Sequence, residues 1–160
     1  MKIIITGALG HIGSSLIRYL SKVEEIERIY LIDNFSAQRY CSLFNLPREA
    51  RYSFFDLDLA KCKETEIPQA DLIIHLAAKT DAAQSPKYEK VFYKNNFAAT
   101  KNVIKYTKKT KSKLIFASST SVYGPQSNLV DENCNEKELK PQTPHTNSSI
   151  ITCTMLSCSE

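Results

Sequence analysis

Three glycines, Gly7, Gly10 and Gly13, stand three residues apart directly after the apolar run Ile3–Ile5. Such a turn lets a pyrophosphate come close to bare backbone, and the N-terminus of a following helix supplies unpaired N–H groups and a favourable dipole. Asp33 follows about 20 residues after the last glycine, the spacing of an acid that accepts hydrogen bonds from a ribose. A tight turn without a ligand is the alternative, but the flanking strand pattern, the helix pattern and Asp33 together favour dinucleotide binding.

The chain has 160 residues and a formal net charge of +4. That length predicts one domain with a real core and leaves little room for a second. The lysines that cause this charge lie close together at the end of one predicted helix. Their position favours a solvated helix end over a nucleic-acid surface. Five scattered cysteines without a CxxC pair indicate reduced thiols, not a disulfide framework or a metal site. With no leader or spanning segment recognisable, we expect a cytoplasmic chain without membrane partners.

Short apolar runs alternate with helical patterns along the chain, which predicts an α/β fold with a parallel sheet and helices on both of its faces. Segment 34–47 is polar and aromatic without a clear period, so we expect a loop with at most a short helix. The predicted strands are 2–6, 29–33, 52–55, 72–76 and 114–117, and the predicted helices are 11–22 and a long one from Pro86 to about residue 111.

The end of the chain changes character. From about Asn133 onward the sequence loses helix and strand periodicity, and it becomes rich in Ser, Thr and Cys. We therefore expect a dinucleotide-binding domain over residues 1–132 and an irregular tail over residues 133–160.

Each acidic candidate also has a purely structural interpretation. Asp33 either caps a loop or accepts both ribose hydroxyls, which would repel a 2′-phosphate and favour NAD over NADP. Arg39, a few residues later, tempers that preference. Asp56 and Asp58 are either loop acids and helix caps or contacts to an adenine.

The candidate residues farther along the chain also allow both a structural and a functional interpretation. Ala77 and Ala78 follow a strand at its carboxyl end, where small residues allow a backbone to approach a ligand, although simple packing explains them nearly as well. Asn96 is either a surface residue or a buried one that bonds the loop beside the site. His11 and His75 are expected to be structural, because no neighbouring residues complete a metal-ligand set.

Six motifs in this order resemble the extended short-chain dehydrogenase/reductase family, in particular its NAD-dependent epimerases and dehydratases, which act mostly on nucleotide sugars. The resemblance covers about residues 1–145. In the Asn96–Thr100 motif, Ala99 takes the slot of the family's glycine. The motifs are TGALGHIG at 6–13, LIDNFS at 31–36, DLD at 56–58, IIHLAA at 73–78, NFAAT at 96–100 and FASSTSVYG at 116–124.

The resemblance implies a doubly wound parallel sheet of the Rossmann type, with about five strands in the order 3-2-1-4-5. It implies NAD as the cofactor, a nucleotide sugar as the partner and a possible homodimer. The residues that take cofactor-side or scaffold slots are Gly7, Gly10, His11, Ile12, Gly13, Asp33, Asn34, Asp58, Leu59, Leu76, Ala77, Ala78, Lys79, Asn96 and Ser118.

The family's chemistry depends on a YxxxK pair, and this sequence departs from it. His145 stands in the tyrosine slot and Ser149 in the lysine slot, while Ser119 takes the slot of the substrate-binding Ser or Thr. Imidazole is a competent acid or base near neutral pH, so His145 is the candidate replacement. Because the chain ends at Glu160, before the family's substrate domain, we expect impaired catalysis. The alternative is a non-catalytic NAD-binding or interaction module.

Overall fold

The structure, a computed structural model, describes residues 1–47, 51–79, 85–118, 123 and 125, with the side chains of 85–90, 92 and 93 left out. Five strands and two α-helices alternate along this part of the chain, with short 3₁₀ turns at Tyr40–Leu43 and Glu64–Glu66. The long elements are β1 (Lys2–Thr6), α1 (His11–Leu20), β2 (Arg28–Asp33), β3 (Tyr52–Asp56), β4 (Leu72–His75), α2 (Ser85–Thr110) and β5 (Lys113–Phe116).

All five strands form one parallel sheet in the order β3-β2-β1-β4-β5, which confirms the predicted Rossmann topology. The central strand β1 pairs with β2 on one side and β4 on the other, so that Ile4 lies between Tyr30 and Ile73. A strand in this position is covered on both faces, which explains its uninterrupted apolar sequence.

Alternate residues of β1 supply two separate cores. Ile4 packs on one face of the sheet, in a cluster that includes Ala99 and Val103 of α2. Ile3 and Ile5 point to the opposite face, because successive side chains of a strand project to opposite sides. The second cluster includes Ile17 of α1 and Ile29 and Leu31 of β2. The two helices therefore cover opposite faces of the sheet, as a doubly wound fold requires.

Helix α1 ends at Leu20, two residues before the predicted end. Ser21 follows it, buried, and its hydroxyl donates to the carbonyl oxygen of Arg18 at 2.9 Å. The N–H groups of Lys22 and Val23 then close tight turns onto Tyr19 and Leu20. A serine that bonds back to the preceding turn competes with helix continuation, which accounts for the early stop.

The chain divides into two compact units, one of Met1–Ala78 with Ala98–Ala117 and the other of Lys79–Phe97 with Ser118–Glu160. The predicted boundary between residues 132 and 133 lies outside the described residues and stays a prediction. Within the described ranges, no helix combines the length and the apolar character needed to cross a membrane.

Two tyrosines give a matched test of the hydrogen bonding in the core. The hydroxyl of Tyr106 donates to the Pro68 carbonyl at 2.7 Å and accepts from the Ala70 N–H at 3.2 Å. The buried hydroxyl of Tyr52 has no partner among the residues that the structure describes. We expect Tyr106→Phe to lower the free energy of unfolding by about 1–2 kcal/mol and Tyr52→Phe to leave it unchanged or raise it. Urea denaturation measures both, and equal losses would contradict this account.

Candidate functional site

The glycine turn connects β1 to α1. Gly7 has φ +65°, a left-handed conformation that residues with a side chain rarely adopt. The Gly10 N–H donates to the Gly7 carbonyl at 3.0 Å and closes the turn, and the Ser14 N–H then donates to the Gly10 carbonyl at 2.9 Å as α1 begins. The predicted strand-turn-helix is therefore present at the predicted residues.

The three glycines are required for different reasons. A Cβ on Gly7 would lie 2.8 Å from the Ala77 nitrogen, and a Cβ on Gly13 would lie 2.4 Å from the Gly7 carbonyl oxygen. The chain's own packing therefore excludes a side chain at both positions. Among the residues that the structure describes, a Cβ on Gly10 would come close to one atom, the Gly7 carbonyl oxygen at 3.1 Å. Tight packing thus accounts for Gly7 and Gly13, whereas Gly10 leaves its backbone open to an approaching group.

The N-terminus of α1 opens beside Gly10. No side chain from the described residues caps it, and its first turn contains no acidic residue. His11 and Ile12 are exposed there, with Ile12 at 63% despite its apolar side chain. Unpaired N–H groups at the positive end of a helix dipole attract an anion such as a phosphate. The N-terminus of α1 therefore has the features that suit a negatively charged group.

Asp33 lies at the end of β2, next to the glycine turn. Its Oδ2 accepts from the Leu9 N–H at 3.0 Å, and its Oδ1 accepts from the Phe35 N–H at 3.0 Å. Asn34 accepts in the same way from the Ser36 N–H at 3.1 Å. The loop-capping role of Asp33 is thus observed, and each carboxylate oxygen keeps capacity for a further donor such as a ribose hydroxyl.

Two residues that sequence reasoning missed tie the following loop to the turn. The Ser42 hydroxyl donates to the Leu9 carbonyl at 2.8 Å. The Arg18 guanidinium donates to the Ser42 carbonyl at 3.3 Å and the Phe44 carbonyl at 2.9 Å. These partners are separated by 24 to 33 residues, and neither periodicity nor a motif signals them. Segment 34–47 is otherwise the predicted loop, with its one short 3₁₀ turn.

The second acidic candidate closes the turn after β3. Asp58 Oδ1 accepts from the Ala60 N–H at 3.0 Å, and Oδ2 lies 3.1 Å from Lys61 Nζ. Leu59 is buried in the core on the α2 side, and Asp56 is exposed. The capping interpretation accounts for the bond from Ala60, and the contact with Lys61 is a partly exposed ion pair. An adenine contact of Asp58 or Leu59 stays a prediction.

The end of β4 meets the glycine turn from the other side. The N–H groups of Leu76 and Ala77 each donate to the Thr6 hydroxyl oxygen at 3.1 Å. Ala77 is half-buried against Gly7, whereas Ala78 is exposed. Close packing therefore explains Ala77, and Ala78 is left with an open surface at the carboxyl edge of the sheet. Ligands of open α/β sheets bind at this edge.

His75 is the last residue of β4 and is fully buried. Its Nδ1 lies 2.7 Å from the Thr6 hydroxyl oxygen and its Nε2 lies 3.1 Å from the Thr100 hydroxyl oxygen. Burial lowers the pKa of His75 to about 4, because the charged imidazolium would lose its hydration. The structural interpretation of His75 agrees with these contacts. Throughout the described ranges, no group of three His, Cys, Asp or Glu residues is arranged to hold a metal ion.

Asn96 and Lys79 lie in the second compact unit. The Lys79 N–H donates to Asn96 Oδ1 at 2.8 Å, and Asn96 Nδ2 donates to the Lys79 carbonyl at 3.1 Å. Asn96 is buried, so the interpretation as a residue that bonds the loop after β4 is the correct one. Ser118 is exposed. Ser119, His145 and Ser149 lie outside the described residues, and their roles stay predictions.

A family model described as the NAD dependent epimerase/dehydratase family matches residues 3–155. Among curated proteins, the chain is 31% identical to a dTDP-D-glucose 4,6-dehydratase from Dictyostelium discoideum, over 92% of this chain and 37% of that protein. It is 30% identical to a UDP-glucose 4-epimerase from Mycoplasma pneumoniae, over 90% of this chain and 44% of that protein. The chain thus spans less than half the length of these two relatives.

Solved structures give the same picture of the fold. A UDP-glucuronic acid 4-epimerase from Bacillus cereus, in complex with UDP-glucuronic acid and NAD, superposes with a TM-score of 0.86 at 26% identity, over 99% of this chain and 52% of that one. The UDP-Glc/GlcNAc 4-epimerase from Campylobacter jejuni superposes with a TM-score of 0.85 at 29% identity, over 98% of this chain and 48% of that one.

Proposed function

This chain belongs to the NAD-dependent epimerase/dehydratase family, and from that membership we propose that it is the NAD-binding portion of a nucleotide-sugar epimerase or dehydratase. The observation that carries the proposal is the open backbone at Gly10, beside an α1 N-terminus that no side chain of the described residues caps. A side chain at Gly10 would come within 3.1 Å of the Gly7 carbonyl oxygen and would occupy the space in which we propose that the pyrophosphate lies.

The residues of the turn fit a dinucleotide. The pyrophosphate would lie over Gly10 and the N–H groups of His11 and Ile12, where the helix dipole stabilises negative charge. Asp33 would accept hydrogen bonds from the adenosine ribose, in addition to those from Leu9 and Phe35. When bound, NAD would supply a nicotinamide that takes a hydride from a sugar carbon and returns it.

The carboxylate of Asp33 favours NAD over NADP. A 2′-phosphate on the ribose would stand beside a negative charge that the Leu9 and Phe35 N–H groups hold in place. Arg39 is exposed in the following loop and is the residue that would offset this repulsion. NAD is therefore the proposed cofactor, in agreement with its presence in the Bacillus cereus relative.

A nucleotide sugar is the proposed partner of the parent enzyme, with Ser119 as a substrate contact and a homodimer as the possible assembly. His145 and Ser149 replace the family's tyrosine and lysine, so we propose that the 160-residue chain turns over slowly or not at all by itself. The five scattered cysteines without a CxxC pair are the basis for proposing a reducing compartment such as the cytoplasm.

Calorimetric titration with NAD tests the binding proposal. We expect saturable heat from the wild-type chain and none from Gly10→Val, because the valine side chain would fill the space over the turn. Ser15→Val is the matched control, since Ser15 is exposed on α1 and the new side chain is the same. Equal heats from wild type and Gly10→Val, or no heat from either, would remove the proposal.

The alternative is a module that binds NAD without catalysis, and the replaced pair at His145 and Ser149 favours it over an active enzyme. The two are separated by incubating the chain with NAD and UDP-glucose, UDP-glucuronic acid or dTDP-glucose, and recording the absorbance of the reduced nicotinamide. Formation of NADH with any of these sugars would count against the module.

A further inference from the structure

Three buried polar side chains form a hydrogen-bonded row from β1 through β4 to α2. Thr6 is the last residue of β1, His75 is the last residue of β4, and Thr100 lies on α2. All three are at most 5% exposed. Buried polar groups of this kind are retained where their hydrogen bonds define one arrangement of the surrounding chain.

The bonds to Thr6 determine where the proton of His75 lies. The Thr6 hydroxyl oxygen accepts from the Ala77 N–H and from the Leu76 N–H, which it shares with the Thr6 backbone carbonyl oxygen at 3.2 Å. Those two donors occupy its lone pairs, so its own proton is directed to His75 Nδ1, 2.7 Å away. Nδ1 is then an acceptor. In the neutral ring the proton is on Nε2, which donates to the Thr100 hydroxyl oxygen at 3.1 Å.

A second proton on His75 would break this arrangement. Nδ1–H would point at the Thr6 oxygen, which already receives two N–H groups. The same oxygen holds the Ala77 backbone beside Gly7, where a Cβ on Gly7 would lie 2.8 Å from the Ala77 nitrogen. The protonation and tautomer of His75 are therefore linked, through one hydroxyl, to the packing of the glycine turn.

We propose that Thr6, His75 and Thr100 form a positioning network, which keeps His75 neutral with its proton on Nε2 and thereby sets the glycine turn in the shape that binds the cofactor. The proposal rests on the proposed NAD binding for its functional part. The three side chains of the network are buried, so we expect their effect on binding to be indirect, through the shape of the turn.

The test compares two substitutions of Thr6 in the full chain. Thr6→Val keeps the shape and removes the hydroxyl, whereas Thr6→Ser keeps the hydroxyl. We expect Thr6→Val to raise the Kd for NAD at least about tenfold and Thr6→Ser to change it less than about threefold. The Kd is measured by calorimetry, at a temperature where circular dichroism shows both variants to be folded. Tyr106→Phe is the stability control, because its lost bonds lie at the Pro68–Ala70 segment, at the opposite end of β4. It should destabilise the chain without changing the Kd.

An NMR measurement tests the network without any cofactor. Long-range ¹H–¹⁵N spectra of the imidazole rings, assigned with a His75→Gln variant, should show a protonated Nε2 and an unprotonated Nδ1 for His75 at neutral pH. A proton on Nδ1, or an imidazolium, would overturn the network. If the wild-type chain binds NAD and Thr6→Val binds equally well, the positioning role is wrong while the proposed function stands. If the wild-type chain does not bind NAD, the proposed function fails and the positioning role fails with it, whatever the tautomer.

Discussion

Replacing Gly13 with alanine is expected to lower the free energy of unfolding by about 3 kcal/mol. The new Cβ would lie 2.4 Å from the Gly7 carbonyl oxygen and 2.9 Å from the Ala8 carbonyl oxygen. Both are backbone atoms of the turn, so no flexible side chain can move aside. Alanine would gain about 1 kcal/mol from its better helix propensity, and we expect the clash to outweigh that gain. Urea denaturation followed by circular dichroism measures the difference.

Gly10→Ala is the matched control for this prediction. Within the part of the chain that the structure describes, its Cβ would come close to one atom, the Gly7 carbonyl oxygen at 3.1 Å. Gly10 also precedes the first residue of α1, where alanine is less favourable than glycine by less than about 1 kcal/mol. A stabilised Gly13→Ala variant would show that the turn opens readily, and the packing account of this glycine would then be wrong.

Between pH 7 and pH 4, wild-type stability should fall by about 3 kcal/mol through His75 alone. Burial lowers the pKa of His75 to about 4 in the folded chain, whereas an unfolded histidine titrates near 6.5. Below pH 6.5 the unfolded chain therefore binds a proton that the folded chain does not, and stability decreases as the pH falls. The loss is complete once the pH is below the folded pKa.

Carboxyl groups also titrate in this range, so the measurement is a difference between variants. Free energies of unfolding are measured by urea denaturation from pH 7 to pH 4 for wild type, His75→Gln and His11→Gln. His75→Gln should be less stable at pH 7 and should lose less stability on acidification. His11→Gln is the control for the same exchange at an exposed histidine outside the core. Parallel curves for wild type and His75→Gln would contradict the assignment.

The sequence predicted the sheet and the turn because both are encoded locally. The run Ile3–Ile5 is apolar at every position, and only a strand covered on both faces accommodates such a run in this fold. The glycine spacing and Asp33 then placed the turn at the carboxyl edge of that strand. The end of α1 was predicted two residues too late because the Ser21 hydroxyl bonds back to the Arg18 carbonyl. The spacing of apolar residues contains no signal for that bond.

The contacts that shape the site were harder to predict. Ser42 and Arg18 hold the loop after β2, and Thr6 and His75 join β1 to β4. Each pair involves groups more than 20 residues apart, and which polar groups meet depends on the strand register and the path of the loop. The sequence allows Asn96 to be either a surface residue or a buried one, and its two hydrogen bonds to Lys79 show that it is the buried one.

The close packing of Gly7 against Ala77 bears on the order in which the chain acquires its structure. The glycine motif is contiguous in the sequence, yet its shape is completed by bonds between Thr6 and the end of β4, 69 to 71 residues later. Closing a loop of that length is the entropically expensive step in pairing β1 with β4. A nascent chain that has emerged only as far as β3 therefore carries the entire motif without the backbone that braces it.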